Sequence, residues 1–565
     1  MKTILGINYF YHDTSACVVR DGELLSAVEE ERFTRVKHTW QFPRRAILAT
    51  LADAGVEAGE ITDVAVSIDP GKHRNRKLAF APSLGRRVRP FLKHEFYRAW
   101  TRQREFQSWF RGAFSDRRPP RLHQVGHHVA HIQGSFFVSP YERAALLSLD
   151  GSGEWSTTWI GYTDGSNFTA LSESYFPHSM GSFYEAATEF CGFRPNFDEG
   201  KTMGLAPFGD PARFYPEMSR LVSVDEAGRL RVDLSYFRYQ NWGARRCGPK
   251  YLEAFGPARM SSAAPIEAHH QDVAAAAQKV LEERVLEMCR ILERKTDAAH
   301  LVMAGGVGLN SVMNGRILRE THFADLYVMP AAGDSGTSIG AAYYVHNEIH
   351  GSPKRYNHFD PYLGTSYSND VIERLLKECK LPYVRSGDVC AETARILRDG
   401  FIVAWFQGRM EIGPRALGNR SILCDPTLPH MKDKINVEVK HREAYRPFAP
   451  SALAERASEF FDIEVEAPFM LKVCPVRPEK RDLLPAITHV DGSARLQTVR
   501  EKTNPRYHRL ISEFGKLSGV PVLLNTSFNV MGEPIVESPL QAIRCFYGTG
   551  LDVLVLGDFI VRKST

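Results

Sequence analysis

His127 and His131 are four residues apart, so a helix would turn both imidazoles to one face, where the pair could clasp one metal ion. His123 and His128 make the same stretch histidine-rich, so the spacing alone favours a structural role for the pair. Asp150 lies 23 residues beyond His127 at the tip of a strand–turn–strand pattern, and Asp334 follows a strand in Ala331–Gly336. Two histidines and two aspartates suit a divalent transition metal left partly open to ligand. Pair by pair, each of them also has an ordinary structural explanation.

A second set is cationic. Glu411 to Arg420 places Arg415 and Arg420 in a Gly/Pro turn. Lys440, Arg442, Arg446 and Arg495 follow, and Asn525-Thr526-Ser527-Phe528-Asn529 comes directly after the apolar run Val520–Leu524. Guanidinium forks match phosphate oxygens, and Asn, Thr and Ser add neutral donors. Several such cations turned into one cleft would repel one another unless an anion sat among them. A solvated basic face is the competing reading, but these residues stand in turns beside apolar strands, where binding sites gather.

The elements that must hold these residues are α/β. Thr3–Asn8 reads as a strand, Tyr11–Ser15 as a polar turn and Ala16–Arg20 as a returning strand. The pattern repeats about 140 residues later in Ala145–Leu149, the turn Asp150–Glu154, and Trp155–Tyr162, which predicts a duplicated domain. Leu301–Ala304 is a third strand, with Gly305-Gly306-Val307-Gly308 as its turn and a helix from Leu309. Glycines there let a nucleotide approach the backbone. With the doubled acidic hairpin, they point to an ATPase fold of the actin, hexokinase and Hsp70 type. A Walker A reading of Gly200-Lys201-Thr202 fails because Pro195 stands where the first glycine is needed. Composition turns polar and Gly/Pro-rich from His350 to Asp370, which sets domains at 1–356 and 366–565. A helix is predicted over Ala391–Asp399 and a strand over Phe401–Phe406.

The 565 residues are too many for one core, and 43% hydrophobic with 24% charged residues is ordinary for a globular protein. No apolar run spans a bilayer, the start does not read as a signal peptide, and nine scattered cysteines without a CxxC pair suggest reduced thiols in the cytoplasm. The net charge of +5 is uneven: fifteen Lys or Arg against Glu95, Glu105 and Asp116 give Lys72–Arg121 a local +12. An amphipathic helical insertion with a solvated basic face is the preferred reading; a surface for an anionic substrate or RNA is the other.

Glu29–His38, Gly200–Pro207, Gly305–Asn310, Gly413–Ser421 and Asn525–Asn529 run in an order that resembles the O-carbamoyltransferases typified by nodulation protein U and the cephem and tobramycin carbamoyltransferases. The resemblance implies an N-terminal actin-like (ASKHA) domain with an iron site and a C-terminal YrdC-like α/β domain. The latter would make carbamoyladenylate from carbamoyl phosphate and ATP, and the former would pass the carbamoyl group to a hydroxyl of a small molecule such as an antibiotic or other secondary metabolite. Carried over by motif, the metal ligands would be His127, His131, Asp150 and Asp334, for Fe(II) or a similar divalent ion, with Mg serving adenylation. Carbamoyl phosphate and nucleotide would meet Arg415, Lys440, Arg446, Arg495 and Asn525, and the adenylate would meet Gly305, Gly306, Asn310 and Lys201. His12 or Asp13 is the candidate base for the acceptor hydroxyl. Expected partners are the small-molecule acceptor and a second copy in a homodimer, with neither membrane nor nucleic acid. The competing functions are a tRNA threonylcarbamoyl-type enzyme, a sugar kinase of the actin-like fold, and a noncatalytic ATP-binding regulator.

Overall fold

The computed structural model describes residues 1–116, 118–241, 245–353, 360–443 and 445–563. Its contacts divide the chain into two compact units, Met1–Glu30 with His38–Phe359, and Glu31–Lys37 with Asp360–Thr565. The boundary expected at residue 356 falls on 354–359, outside the described residues. Glu31–Lys37 belongs to the second unit although the chain on either side of it belongs to the first.

The first unit contains one strand topology twice. Strands β1 (Thr3–Asn8), β2 (Ser15–Arg20), β3 (Glu23–Glu29), β4 (Asp63–Val66) and β5 (Arg121–Gln124) form a sheet in the order β3-β2-β1-β4-β5. Strands β6 (Ala144–Gly153), β7 (Ser156–Thr163) and β8 (Phe168–Tyr175) join two later strands in a second sheet, after a small hairpin of β9 (Val222–Val224) and β10 (Leu230–Val232). Those later strands are β11 (His300–Ala304) and β12 (Asp325–Val328), and the order is β12-β11-β6-β7-β8. In each sheet the first strand runs antiparallel to the second and parallel to the fourth, and the fourth runs parallel to the fifth. Strands β1 and β4 are buried along their whole length, so apolar residues point to both faces in Ile4–Ile7 and Val64–Val66 rather than alternating with polar ones.

Each fifth strand leads to a helix, His127–Phe137 after β5 and Thr337–Tyr344 after β12. The two helices touch where a Cβ on Gly340 would stand 1.7 Å from the Ala130 carbonyl oxygen, so only glycine fits there. That close approach brings the start of one helix beside the residues that precede the other. The helix expected from Leu309 begins instead at Ser311, because Asn310 accepts the Met313 N–H and acts as its N-cap.

The basic stretch between β4 and β5 is helical, with its longest helix over Arg98–Ala113, and Arg121 already belongs to β5. Phe91 and Phe106 are buried, whereas Arg89, Lys93, Tyr97, Trp100, Arg104 and Arg111 form an exposed stripe at helical spacing. This is the amphipathic insertion; Arg117 lies outside the described residues.

The second unit is built on nine strands: β13 (Val384–Arg385), β14 (Val403–Phe406), β15 (Arg420–Cys424), β16 (Ala449–Leu453), β17 (Lys472–Pro475), β18 (Ser493–Val499), β19 (Val522–Ser527), β20 (Val553–Leu556) and β21 (Phe559–Arg562). Their order is β13-β21-β20-β14-β15-β19-β16-β18-β17. Alternate residues serve opposite faces. Ala404, Phe406, Ile422 and Leu524 enter one core, and Val403, Trp405, Leu423 and Leu523 enter another with the helices Val389–Arg398 and Pro505–Ser518. No described helix is long and apolar enough to cross a membrane.

Candidate functional site

The helix starting at His127 carries both histidines on its buried side, at the spacing that stacks residues one turn apart. Asp150 comes from the β6 end and Asp334 from the turn before Thr337–Tyr344. His127 Nε2 lies 3.0 Å from His131 Nε2, 3.3 Å from Asp150 Oδ2 and 3.5 Å from Asp334 Oδ1. His131 Nε2 stands 3.8 Å and 3.6 Å from the same two oxygens. Ligands held at about 2.1 Å from one cation stand about 3.0–3.4 Å apart at octahedral or tetrahedral angles. The four side chains therefore fit a metal ion on their own geometry, and two imidazole nitrogens facing each other across two carboxylates ask for a cation between them.

The duplication explains why they meet. Asp13 lies in the β1–β2 turn, whereas Asp150, expected in a turn, lies within β6 where its pairing with β7 breaks between Leu149 and Gly153; the helices bearing His127 and following Asp334 occupy matching places after β5 and β12. Asp13, at a positive φ of 54°, divides its carboxylate between two histidines: Oδ2 faces His12 Nδ1 at 2.9 Å and Oδ1 faces His38 Nδ1 at 2.8 Å. A carboxylate only accepts, so both Nδ1 atoms carry the proton. His12 Nε2 lies 3.9 Å from Asp334 Oδ2, which sets it beside the metal ligands.

Charge follows from this crowding. Burial alone would lower His127 and His12, but Asp334, aided by Asp150 at His127 and Asp13 at His12, holds both imidazoles up at about 10. Burial would raise Asp334, but His12 and His127 hold it down at about 2. Asp150 and Asp13 are likewise held below the usual carboxylate range by their histidines, against burial. His128 is pushed down to about 3 by burial and by its neighbours His127 and His131.

The glycine turn serves this centre directly. Gly306 N–H donates to Asp150 Oδ1 at 3.0 Å, and a Cβ on Gly305, whose φ is +87°, would stand 2.1 Å from the Leu149 carbonyl oxygen. Asn310 caps its helix and exchanges hydrogen bonds with Gln278, so most of its amide is already engaged. Lys201 pairs with Asp198 at 3.3 Å and lies over the Phe193 ring. Gly305 and Gly306 thus adjoin the cluster of His127, His131, Asp150 and Asp334.

In the second unit, Glu411 accepts the N–H groups of Leu417, Asn419 and Arg420 and so folds the Gly413–Arg420 loop around itself. Arg32, from the Glu31–Lys37 stretch, donates to Gly413 O at 2.7 Å. Arg420 is fully buried, donates to Gln407, Gly408, Asn419 and Thr365 carbonyls and stacks on Phe406; it is a frame for the loop, and Arg415 is the arginine left to act. Asn525 donates to Ser451 and Gln497 and to Ala416 O, which ties β19 to the residue next to Arg415.

Arg415, Arg442, Arg446 and Arg495 crowd together. Burial and Arg446 push Arg415 down to about 10, and burial and Arg446 push Arg442 to about 9. Burial, with Arg415, Arg442 and Arg446, depresses Arg495 well below its usual value. Arg415 Nε, Arg495 Nε and Arg442 Nη2 are buried with no partner among the described residues. Such a cradle is built for anions. Lys440 is not free to join it, because its Nζ donates to Ser527 O, to Asn529 O and to Asn529 Oδ1, which uses its three protons on the Asn525–Asn529 loop. These contacts engage the Nζ that was expected to meet carbamoyl phosphate or nucleotide.

Residues 3–343 match the family model for the carbamoyltransferase N-terminus and residues 394–563 that for the carbamoyltransferase C-terminus. The chain belongs to the carbamoyltransferase family. A protein of Synechocystis sp. is 39% identical over 604 residues, covering 100% of this chain and 97% of the relative. Nodulation protein NolNO of Sinorhizobium fredii is 37% identical over 569 residues, covering 99% of this chain and 80% of the relative. The 3'-hydroxymethylcephem-O-carbamoyltransferase of Amycolatopsis lactamdurans is 34% identical over 371 residues, covering 65% of each.

Sequence reasoning missed three residues of this carbamoyltransferase. His38 shares Asp13 with His12, and its motif, Glu29–His38, was in view without a role for its last residue. Glu154 accepts the Asp69 N–H at 2.5 Å and the His127 N–H at 3.3 Å, fixing the start of the ligand helix, and nothing in the sequence marks it. Arg442 was noted only as one of the row of cations.

Proposed function

We propose that the protein is an ATP-dependent O-carbamoyltransferase whose reaction is divided between its two units. The second, read as YrdC-like, forms carbamoyladenylate. For the phosphates to balance, carbamoyl phosphate gives inorganic phosphate to water, the carbamate oxygen attacks the α-phosphorus of ATP, and pyrophosphate leaves. Arg415, Arg446 and Arg495 cancel the charge on the phosphate oxygens, with Mg on the triphosphate. The first unit, read as actin-like from its doubled strand order, carries the transfer to the hydroxyl of a small molecule.

The observation that carries this reading is the convergence of His127, His131, Asp150 and Asp334 within 4.8 Å beside the Asp13-held His12, in a chain of the carbamoyltransferase family. A bound divalent ion, Fe(II) or similar, would supply Lewis-acid polarisation of the carbamoyl carbonyl. A cation held by Asp150 and Asp334 would offset the carboxylate charge that keeps His12 protonated; Asp13 then holds the His12 Nδ1 proton so that Nε2 accepts the proton of the acceptor hydroxyl as its oxygen bonds to the carbamoyl carbon and AMP departs. Gly306 holds Asp150 in place meanwhile. The acceptor class is taken from the cephem relative, whose name states an O-carbamoyl transfer. Nine free cysteines support a cytoplasmic setting.

Purified enzyme given ATP, Mg and carbamoyl phosphate should release pyrophosphate and inorganic phosphate in equal amounts. Release of neither, with metal bound and the protein folded, would contradict the proposal.

A further inference from the structure

The basic helical insertion between β4 and β5 has two sides of different construction. Its inner side is tied to the rest of the first unit. Phe91 and Phe106 are buried, Arg98 lies 3.9 Å over the Trp40 ring, and Arg102 donates to Trp40 O at 2.6 Å. The acidic side chains of Lys72–Arg121 are committed as well. Glu95 pairs with Lys77 and with His94 at 3.0 Å, Glu105 accepts the Tyr9 hydroxyl, and Asp116 accepts the Ser115 hydroxyl at 3.1 Å. None of them neutralises the outer side.

That outer side runs along a continuous helical stretch, Val88–Ala113. On it Arg89, Lys93, Arg104 and Arg111 are exposed and meet no carboxylate among the described residues. Surface arginines of the second unit such as Arg456, Arg506 and Arg509 each have one within 2.9 Å. Between the two pairs of cations stand Tyr97, 58% exposed, and Trp100, 51% exposed, with Leu92 exposed beside them. A face built only for water needs neither ring. Trp100 carries Arg104 over its ring at 4.7 Å and lies 5.9 Å from Tyr97, so the rings form one patch rather than separate open platforms on which bases could stack. Uncompensated cations call for an anionic partner. An aromatic middle with cationic ends is the pattern of a helix lying in a lipid headgroup layer, where the rings sit at the apolar boundary and long basic side chains reach the phosphates.

We propose that this face docks the protein on an anionic phospholipid bilayer, with Tyr97 and Trp100 entering the headgroup boundary and Arg89, Lys93, Arg104 and Arg111 meeting lipid phosphates. The helix lies on the membrane and does not cross it. The proposal replaces the expectation of a solvated face without a membrane partner, and it stands independently of the carbamoyl chemistry.

The test is co-sedimentation of the full-length protein with vesicles of phosphatidylcholine alone and of phosphatidylcholine with phosphatidylglycerol, at low and at high salt. The protein should bind the anionic vesicles at low salt, come off as salt rises, and leave the neutral vesicles largely unbound. Each basic side chain near such a surface strengthens binding about fivefold, so Arg89→Gln/Lys93→Gln/Arg104→Gln/Arg111→Gln should bind at least about 100-fold more weakly. Tyr97→Ser/Trp100→Ser keeps every charge and should still bind about tenfold or more weakly, because the rings no longer enter the boundary. Thermal unfolding of both variants should match the wild type, since all six side chains are exposed. Failure of the wild-type protein to bind anionic vesicles, or binding by either variant as tight as the wild type's, overturns the proposal. Single-stranded RNA that strips the protein from the vesicles at equal phosphate concentration also overturns it, in favour of a nucleic-acid surface.

Discussion

His127 and His131 offer their Nε2 atoms 3.0 Å apart because one helical turn separates them, and the carboxylates of Asp150 and Asp334 close the remaining sides. Each removes desolvated charge that the others would otherwise face alone, so the set acts as one site. His127→Ala should bring the metal content of purified protein from about one ion per chain to near none after dialysis against a chelator. Loss of a group that only orients a ligand typically costs about 10–100-fold in metal affinity, and loss of a ligand should cost at least that. Metal analysis that finds full occupancy in His127→Ala/His131→Ala would remove the site. The HxxxH spacing was legible in the sequence, as was the second hairpin, although Asp150 lies within β6 rather than at the hairpin's tip. The partnership of His12, Asp13 and His38 was not, since 25 residues separate Asp13 from His38 and only the folded turn, with Asp13 at positive φ, points one carboxylate at both.

At the scale of elements, the candidate metal site depends on turns that supply none of its four side chains. Gly305 has no room for a Cβ against Leu149 O, and the next residue holds Asp150 through its N–H. Gly305→Ala should displace that N–H at a cost of about 1–3 kcal/mol in backbone strain alone, and should lower metal occupancy without touching a ligand. Occupancy and thermal unfolding measured together check this, and an unchanged metal content would show that the turn is not needed. Another element contact governs acid stability. Asp63 of β4 is fully buried and meets His123 of β5 at 2.8 Å and His350 at 3.0 Å. Burial would raise its pKa, but the hydrogen bonds from His123, Thr62 and His350 overcome this and lower it. A carboxyl held below its ordinary value of about 3.9 stabilises the fold above that pH and loses the contribution as pH falls through the lower folded value. Asp63→Asn should therefore cost about 1–3 kcal/mol near neutrality and flatten the fall in stability between about pH 5 and pH 3, read from urea unfolding across that range. An acid limb as steep as that of the wild type would contradict it. Strands β1, β6 and β11 were legible as apolar runs, whereas β4, which begins with Asp63, and the polar β5 were not. The helix start at Ser311 was not, because a cap is decided by the Asn310 side chain rather than by periodicity.

Over the whole molecule, the doubled hairpin was the sequence's clearest statement, and the two five-stranded sheets repeat it strand for strand. The nine-stranded sheet was less legible, since its neighbours in space, such as β15, β19 and β16, come from distant parts of the chain, and pairing of that kind leaves no local signature. The placing of Glu31–Lys37 with the second unit was not legible at all; Arg32, nearly fully buried against the Gly413 carbonyl, looks in the sequence like one more charge after Glu31. Similarly, Lys440 and Arg420 could not be told from substrate-binding cations until their protons were counted. On the proposed function, adenylation and transfer are separate chemistries in separate units. Arg415 belongs to the cradle and His127 to the metal centre, so the two variants should fail at different steps. The deciding measurement pairs pyrophosphate release with carbamoylated product in Arg415→Ala and His127→Ala, with and without a hydroxyl acceptor. Arg415→Ala should lose about one to two orders of magnitude in both outputs, as expected when a charged hydrogen bond worth about 1.5–3 kcal/mol is removed from the first step. His127→Ala should still release pyrophosphate while forming little carbamoylated acceptor. Proportional loss of both outputs in both folded variants would contradict the division.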